Sequence, residues 1–155
     1  TSGDAAVRAL TEQFDRVAIT DLAVSASETE RATRQLSPAL KAAIQTAAYN
    51  IEKFHAAQRR ETLDVETMPG VRCWRKAVPI GKVGIYIPGG TAPLFSTVLM
   101  LAIPARLAGC EEIILCSPPD KQGNIHPAIL FAASITGVTK IFKVGGAQAI
   151  AAMAY

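Results

Sequence analysis

The sequence predicts an α/β protein in which a parallel β-sheet carries helices on its faces and follows an N-terminal helical region. Beyond residue 80, short β-rich runs alternate with apolar helical segments, which is the pattern of βαβ units. Before residue 60, apolar residues recur at helical spacing. Half of the 155 residues are apolar and 19% are charged, a composition typical of a globular protein with one sizeable core.

The N-terminal region contains three candidate helices. The first is expected over Asp4–Val17, whose apolar residues share one helical face. Ser27, followed three positions later by Glu30, fits a capping box at the start of the second. Ser37 before Pro38 predicts the third start, because proline is well tolerated at the first helical position. An apolar stripe marks this third helix and consists of Leu40, Ala43, Ile44, Ala47, Ile51 and Phe54.

The helical period is lost over Thr62–Pro69, and Val71–Pro79 is interpreted as an irregular strand interrupted by basic residues. We therefore expect a helical cap over residues 1–70 and a sheet-bearing portion over residues 71–155, truncated at its C-terminal end. In that portion the expected strands are Val83–Ile87, Glu112–Cys116 and Lys140–Val144, and the expected helices are Leu94–Leu107, Pro127–Ile135 and one from about Ala147.

Charge and hydropathy argue against several classes of partner. The net charge of +3 comes from scattered residues, with no basic stripe, so a nucleic-acid partner is not expected. The longest apolar stretch, Ala92–Ala105, is broken by polar residues and prolines and is shorter than the roughly 20 residues that span a bilayer. No secretory signal is visible at the N-terminus. We expect a cytoplasmic protein without a membrane partner, and a chain excised from a longer one.

Two glycine-rich junctions are the candidate ligand-binding turns. In Val83–Pro93 a buried strand leads directly into Gly89 and Gly90 before a helix, and Val144–Gln148 repeats the arrangement. Such turns let backbone N–H groups approach a ligand, and a helix N-terminus favours negative charge. Neither is the Gly-x-Gly-x-x-Gly dinucleotide fingerprint. Because ligands collect at the carboxyl ends of parallel strands, both junctions are expected at the same edge of the sheet.

Tyr86 and Gln148 are the candidate ligand-binding side chains at these junctions. Tyr86 can pack its ring on a base or ribose, and the amide of Gln148 can donate and accept hydrogen bonds. The residues alone favour plainer interpretations, a half-buried strand tyrosine and a glutamine at a helix N-terminus. His55 and His126 have no second metal ligand at suitable spacing and are expected to be structural or surface residues.

The three cysteines do not predict a disulfide framework or a zinc knuckle. Cys73, Cys110 and Cys116 are odd in number and lack Cys-x-x-Cys spacing. Buried, reduced thiols are expected. Cys110 and Cys116 have no visible base nearby and are interpreted as packing residues.

Taken together, the motifs closely resemble the histidinol dehydrogenase family. The run Val83–Met100 resembles the signature region of that family. Further segments extend the similarity over nearly the whole chain: Asn50–His55, Pro69–Cys73, Ala108–Cys110, Leu115–Pro119 and Val144–Ala151. Thr91 is a small departure, because serine is common there.

The resemblance implies an enzyme that oxidises L-histidinol to L-histidine in two NAD-dependent steps, the last stage of histidine biosynthesis. It also implies a zinc ion, a homodimer, and an incomplete Rossmann-like three-layer domain with a parallel sheet. Tyr86 and Gln148 fall on positions that contact NAD in the family. The family's zinc ligands and acid/base residues lie downstream, so the resemblance assigns no catalytic or metal-binding residue here.

The resemblance therefore implies a fragment that is inactive by itself. One alternative is a stand-alone nucleotide-binding or interaction module with the same fold. Another is a relative of the aldehyde dehydrogenases, which use a catalytic cysteine, but neither Cys110 nor Cys116 has the context for that role.

Overall fold

The computed structural model describes residues 3–59, 61–90 and 92–155. The departure at Thr91 lies outside these residues. Within the described ranges the helices are α1 (Gly3–Asp15), α2 (Ala26–Gln35), α3 (Pro38–Ala56), α4 (Phe95–Ala108), α5 (Pro127–Thr136) and α6 (Gly146–Ala154). The strands are β1 (Leu63–Met68), β2 (Val71–Arg75), β3 (Lys82–Tyr86), β4 (Glu112–Ser117) and β5 (Lys140–Lys143).

The central sheet has the order β3-β4-β5, and both strand pairs are parallel. Val83 lies opposite Ile113, and Leu115 lies opposite Ile141. The chain before α2 runs along the outer edge of β5, where an isolated antiparallel bridge joins Ala23 to Phe142. The parallel sheet predicted from the alternating pattern is confirmed.

Helices cover both faces of this sheet, because successive strand residues point to opposite sides. Ile113 and Leu115 point into the main core, which is filled from α4 and α5. Ile114 and Cys116 point into a second cluster that includes residues of α6. Helices α2 and α3 pack on the outer side of α5 and α4, and α1 packs on α6. The predicted three-layer α/β arrangement with a preceding helical region is therefore confirmed.

The capping box of the second helix lies two residues earlier than predicted. The box is formed by Ser25 and Glu28, not by Ser27 and Glu30: Ser25 Oγ accepts from Glu28 N at 3.2 Å, and Ser25 N donates to Glu28 Oε2 at 2.8 Å. The extended segment ends at Val24, whose N–H donates to the carbonyl of Ile141. The helix follows at once, so the earlier serine becomes the cap.

The third helix begins as predicted, with Ser37 Oγ accepting from Leu40 N at 3.2 Å. Its apolar stripe is narrower than predicted. Ile44 is buried, but Ala43 is exposed and Phe54 is 65% exposed. Phe54 lies ten residues beyond Ile44 and is therefore rotated by about 80° around the helix, given 3.6 residues per turn. The edge of the stripe that carries Phe54 therefore faces away from α4.

Residues 63–75 form an antiparallel hairpin that the sequence interpretation missed in part. Over Thr62–Pro69 the sequence predicted only a loss of the helical period and no strand, but the segment contains β1, which pairs with β2 from Leu63 opposite Arg75 to Met68 opposite Val71. Every residue of both strands is exposed, so β1 has no buried face that would produce an alternating apolar pattern in the sequence. The predicted division at residue 70 falls between these paired strands and stays a prediction.

Among the helices that the structure describes, none combines the length and the apolar character needed to cross a bilayer.

Candidate functional site

The glycine-rich junctions after β3 and β5 meet at the carboxyl edge of the sheet, on either side of the proline that follows β4. A Cβ added to Gly89 would lie 2.7 Å from Pro118 Cγ, and one added to Gly145 would lie 2.5 Å from Pro118 Cβ. Real side chains do not tolerate such distances against a rigid ring. These two glycines therefore allow the three strand ends to close around Pro118. Gly90 faces open space and leaves its backbone accessible.

A cleft of about 630 Å³ opens beside this junction, within the range of about 300 to 1,000 Å³ that is usual for small-molecule sites. It is walled by the turn after β3, the end of β4 at Ser117 with the Pro118–Asp120 segment that follows, the start of α5 and the end of α1. The polar side chains on its wall are Asp15, Tyr86, Ser117, Asp120, Asn124 and His126.

Tyr86 is the last residue of β3 and is half-buried in the cleft wall. Its phenol oxygen accepts a hydrogen bond from Gly146 N at 3.0 Å. Gly146 begins α6, so the tyrosine satisfies one of the N–H groups that a helix start leaves free. The side chain thereby joins the two glycine-rich junctions while its ring stays on the cleft.

Gln148 lies in the first turn of α6, 6% exposed and behind the cleft wall. Its Nε2 donates to Asp15 Oδ2 at 3.4 Å. Its Oε1 lies 2.6 Å from the position that a Cβ on Gly146 would occupy, and Gly146 has φ +61°. The left-handed backbone conformation favours glycine there, and any larger residue would also displace the end of the Gln148 side chain. The structure thus brings both sequence-predicted side chains to the turn that begins α6. Tyr86 lines the cleft, and Gln148 is buried behind its wall.

Asp15 is a site residue that sequence reasoning missed. It is the last residue of α1, and the chain turns sharply at Arg16, which has φ +57°. The predicted helix extended to Val17, and no local motif marks the aspartate. Its position depends on the packing of α1 against α6, which is a tertiary contact.

Asp120 is a second missed residue, and its signal was present in the sequence. Its Oδ1 accepts from the backbone N–H groups of Gln122 at 2.9 Å and Asn124 at 2.8 Å. An aspartate that bonds the backbone two residues on is typical of a tight turn, as is the Gly123 that follows with φ +80°. This turn fixes the loop that forms the far wall of the cleft.

The cleft carries carboxylates but, among the described residues that line it, no lysine or arginine. Asp15 and Asp120 lie on its wall. Burial raises the pKa of the Asp15 carboxyl. Carboxylate, phenol and amide groups suit the hydroxyl and amide groups of a nucleoside, because such groups are hydrogen-bond donors. An anionic phosphate would depend on backbone N–H groups such as that of Gly90.

The histidines have the structural roles that the sequence suggested. His126 caps α5 through Nδ1, which accepts from Ala128 N at 3.2 Å. His55 Nδ1 lies at hydrogen-bond distance, 3.0 Å, from Gln58 Oε1. In residues 3–59, 61–90 and 92–155, no three His, Cys, Asp or Glu side chains lie close enough together to hold a metal ion.

The cysteines are free, and Cys110 and Cys116 pack against the apolar clusters as expected. Burial raises the pKa of the Cys116 thiol to about 11, which removes its nucleophilic form at neutral pH. The expectation that all three are buried is wrong for Cys73, which lies on the exposed strand β2.

An open parallel sheet with helices on both faces and glycine-rich turns at its carboxyl edge defines a Rossmann-like α/β protein. The sequence model of the family described as histidinol dehydrogenase matches residues 1–155. The chain therefore belongs to the histidinol dehydrogenase family.

Individual relatives agree with this assignment. The chain is 64% identical over 153 residues to a histidinol dehydrogenase of Bacteroides fragilis (strain YCH46), a match that covers 99% of this chain and 36% of the relative. A histidinol dehydrogenase of Xylella fastidiosa (strain Temecula1 / ATCC 700964) is 54% identical with the same coverage. The chain thus spans 36% of the length of these curated relatives.

A solved structure shows the same fold. The crystal structure of histidinol dehydrogenase from Elizabethkingia anophelis matches with a TM-score of 0.93 and 56% sequence identity. The match covers 96% of this chain and 34% of that chain.

Proposed function

We propose that the protein containing this chain oxidises L-histidinol to L-histidine in two successive NAD-dependent steps, in histidine biosynthesis. The observation that carries this proposal is the family match over residues 1–155. The enzyme would be a cytoplasmic homodimer with a zinc ion, as the resemblance in the sequence implies.

Within that enzyme, this chain would supply part of the cofactor side. NAD accepts the hydride when bound, and the cleft beside Tyr86 offers groups suited to its nucleoside portions. The ring of Tyr86 would pack against the cofactor, and its phenol would keep α6 joined to the end of β3 through Gly146. The amide of Gln148 would hydrogen-bond the cofactor from its place behind Gly146. The acceptor-rich wall of the cleft supports this assignment.

The zinc ligands and the acid/base residues are proposed to belong to the part of the relatives that this chain does not cover. No proton transfer is assigned to a residue of this chain. The 155-residue chain alone should therefore form no NADH from histidinol and NAD, and turnover near that of the full-length enzyme would contradict this.

Substitutions in the full-length protein test the cofactor role. Gln148→Ala and Tyr86→Phe should raise KM for NAD by about fivefold each, as expected for the loss of one hydrogen bond, with a smaller change in kcat. Tyr49→Phe, at an exposed tyrosine of α3, is the matched control and should change neither constant. An unchanged KM for NAD in both site variants would contradict the assignment.

A further inference from the structure

The end of helix α1 brings a carboxylate from the helical region to the cleft at the edge of the sheet. Asp15 lies on the cleft wall together with Tyr86, Gly89 and Gly90. Helix α1 packs on α6, and Arg16 turns the chain away immediately after the aspartate. Asp15 is therefore held at the site by helix packing.

The carboxylate of Asp15 contacts the turn that carries Gln148. Its Oδ2 accepts from Gln148 Nε2 at 3.4 Å. Its two oxygens lie 3.1 and 3.2 Å from the position that a Cβ on Gly145 would occupy, so the turn passes close over the carboxylate. An ionised carboxylate can only accept hydrogen bonds. It therefore faces the NH₂ end of the glutamine amide, and Oε1 is left beside Gly146.

The position of Asp15 is unfavourable for the charge of its carboxylate. Burial raises the pKa of the Asp15 carboxyl, and none of the ion pairs formed by the described residues includes it. A partly buried carboxylate without a cation partner costs stability. The contact with Gln148 gives this group a role at the site.

We propose that Asp15 is a positioning residue for nucleotide binding, which orients the amide of Gln148 and thereby sets the affinity for the nicotinamide cofactor. The proposal rests on the proposed function, because it requires Gln148 to contact NAD. It assigns a binding role to the helical region that precedes the sheet.

A double-mutant cycle in the full-length protein tests this proposal, with the Kd for NAD measured by calorimetry. Asp15→Ala should raise Kd by about threefold in the native background, toward the low end of the net strength of one hydrogen bond, because the contact with Gln148 is long at 3.4 Å. In the Gln148→Ala background the same substitution should have no further effect, because the group that it orients is gone. Asp15→Asn keeps an acceptor oxygen and should lose less affinity. Glu12→Ala, at an exposed position of α1, is the matched control.

The outcomes separate the two proposals. An unchanged Kd in Gln148→Ala overturns both the cofactor role of Gln148 and the positioning role of Asp15. If Gln148→Ala raises Kd, two results overturn the positioning role alone. One is that Asp15→Ala raises Kd equally in both backgrounds, and the other is that Asp15→Ala leaves Kd unchanged. If Asp15→Ala does not fold, as judged by circular dichroism, the near-isosteric Asp15→Asn takes its place in the cycle.

Discussion

At the residue scale, the binding role proposed for Asp15 is combined with a cost in stability. Its pKa is raised in the folded protein because the carboxyl is partly buried. A raised folded-state pKa gives a contribution to stability that is present below the unfolded-state pKa and is lost as the pH rises through the folded-state pKa. At neutral pH the ionised side chain therefore lowers the free energy of unfolding.

We expect Asp15→Asn to raise the melting temperature at pH 7, because it removes that charge, while it weakens NAD binding. The gain should shrink as the pH falls through the pKa of Asp15, where the wild-type carboxyl becomes neutral. Thermal unfolding of both proteins between acidic and neutral pH measures this, with Glu12→Gln as the control for an exposed charge on α1. A lower melting temperature for Asp15→Asn at pH 7 would contradict the expected cost of the charge.

Thr11 has a buried hydroxyl for which the described residues offer no hydrogen-bond partner. Thr11→Val keeps the shape of the side chain and removes the unpaired oxygen, so it should raise the free energy of unfolding by about 1 kcal/mol. Thr11→Ser keeps the hydroxyl and removes a methyl group, and it should be destabilising. Urea denaturation of the two variants distinguishes these effects. A loss of stability in Thr11→Val would indicate a partner for the hydroxyl.

At the element scale, the close packing of the turn before α6 depends on Gly145. Its backbone, with φ −107° and ψ −175°, is open to any residue, so the need for glycine is steric and comes from Pro118 and Asp15. Gly145→Ala should lower the free energy of unfolding by about 1 to 3 kcal/mol, as for other overpacked sites, and should weaken NAD binding. Gly81→Ala, where a Cβ meets open space, is the control. Equal stability of the two variants would contradict the tight junction.

A largely buried ion pair joins the start of α2 to the end of β5. Lys143 Nζ lies 2.6 Å from Glu28 Oε1, with side chains only 10% and 21% exposed. Lys143→Met should lower the free energy of unfolding by about 2 kcal/mol, less than for a fully buried pair. The pair between Lys140 and Glu112 is more open to solvent, with a lysine 55% exposed, so Lys140→Met should lower the free energy of unfolding by less than Lys143→Met does. Chemical denaturation measures the free energy of unfolding of both variants. Equal losses of stability in the two would contradict this difference between the ion pairs.

The pH dependence of this ion pair follows from Glu28. Burial favours its neutral form, but the hydrogen bonds from Lys143 and Ser25 and the charge of Lys143 outweigh burial and hold its pKa below the ordinary value. A lowered folded-state pKa gives stability that is present above the unfolded-state pKa and is lost as the pH falls through the folded-state pKa. The difference between wild type and Lys143→Met should therefore shrink in acid.

The elements that the sequence predicted well are those with a buried face. Helix α4 and strands β3 and β4 bury apolar residues at their characteristic period, and their bounds differ from prediction by one residue. Strand β1 was missed because its residues are exposed on both sides. The capping box was shifted because two serine and glutamate pairs fit the same spacing, and only the tertiary contact of Val24 with β5 decides between them.

At the scale of the whole molecule, the topology of the sheet made the site predictable in outline. Strands β3, β4 and β5 end at one edge, so the turns that follow them must meet there, and Tyr86 and Gln148 could be chosen from the sequence. The position of Asp15 could not be predicted, because it depends on how α1, which ends 67 residues before β3 begins, packs on α6. Local sequence carries no record of that packing.

We propose that this chain is the cofactor-side part of an enzyme that oxidises histidinol in two NAD-dependent steps. The most direct measurement is the amount of NADH formed when the purified full-length protein consumes a limiting amount of L-histidinol with excess NAD. We expect two molecules of NADH per molecule of histidinol, with L-histidine as the product. No NADH, or a single NADH per histidinol with an aldehyde as the final product, would contradict it.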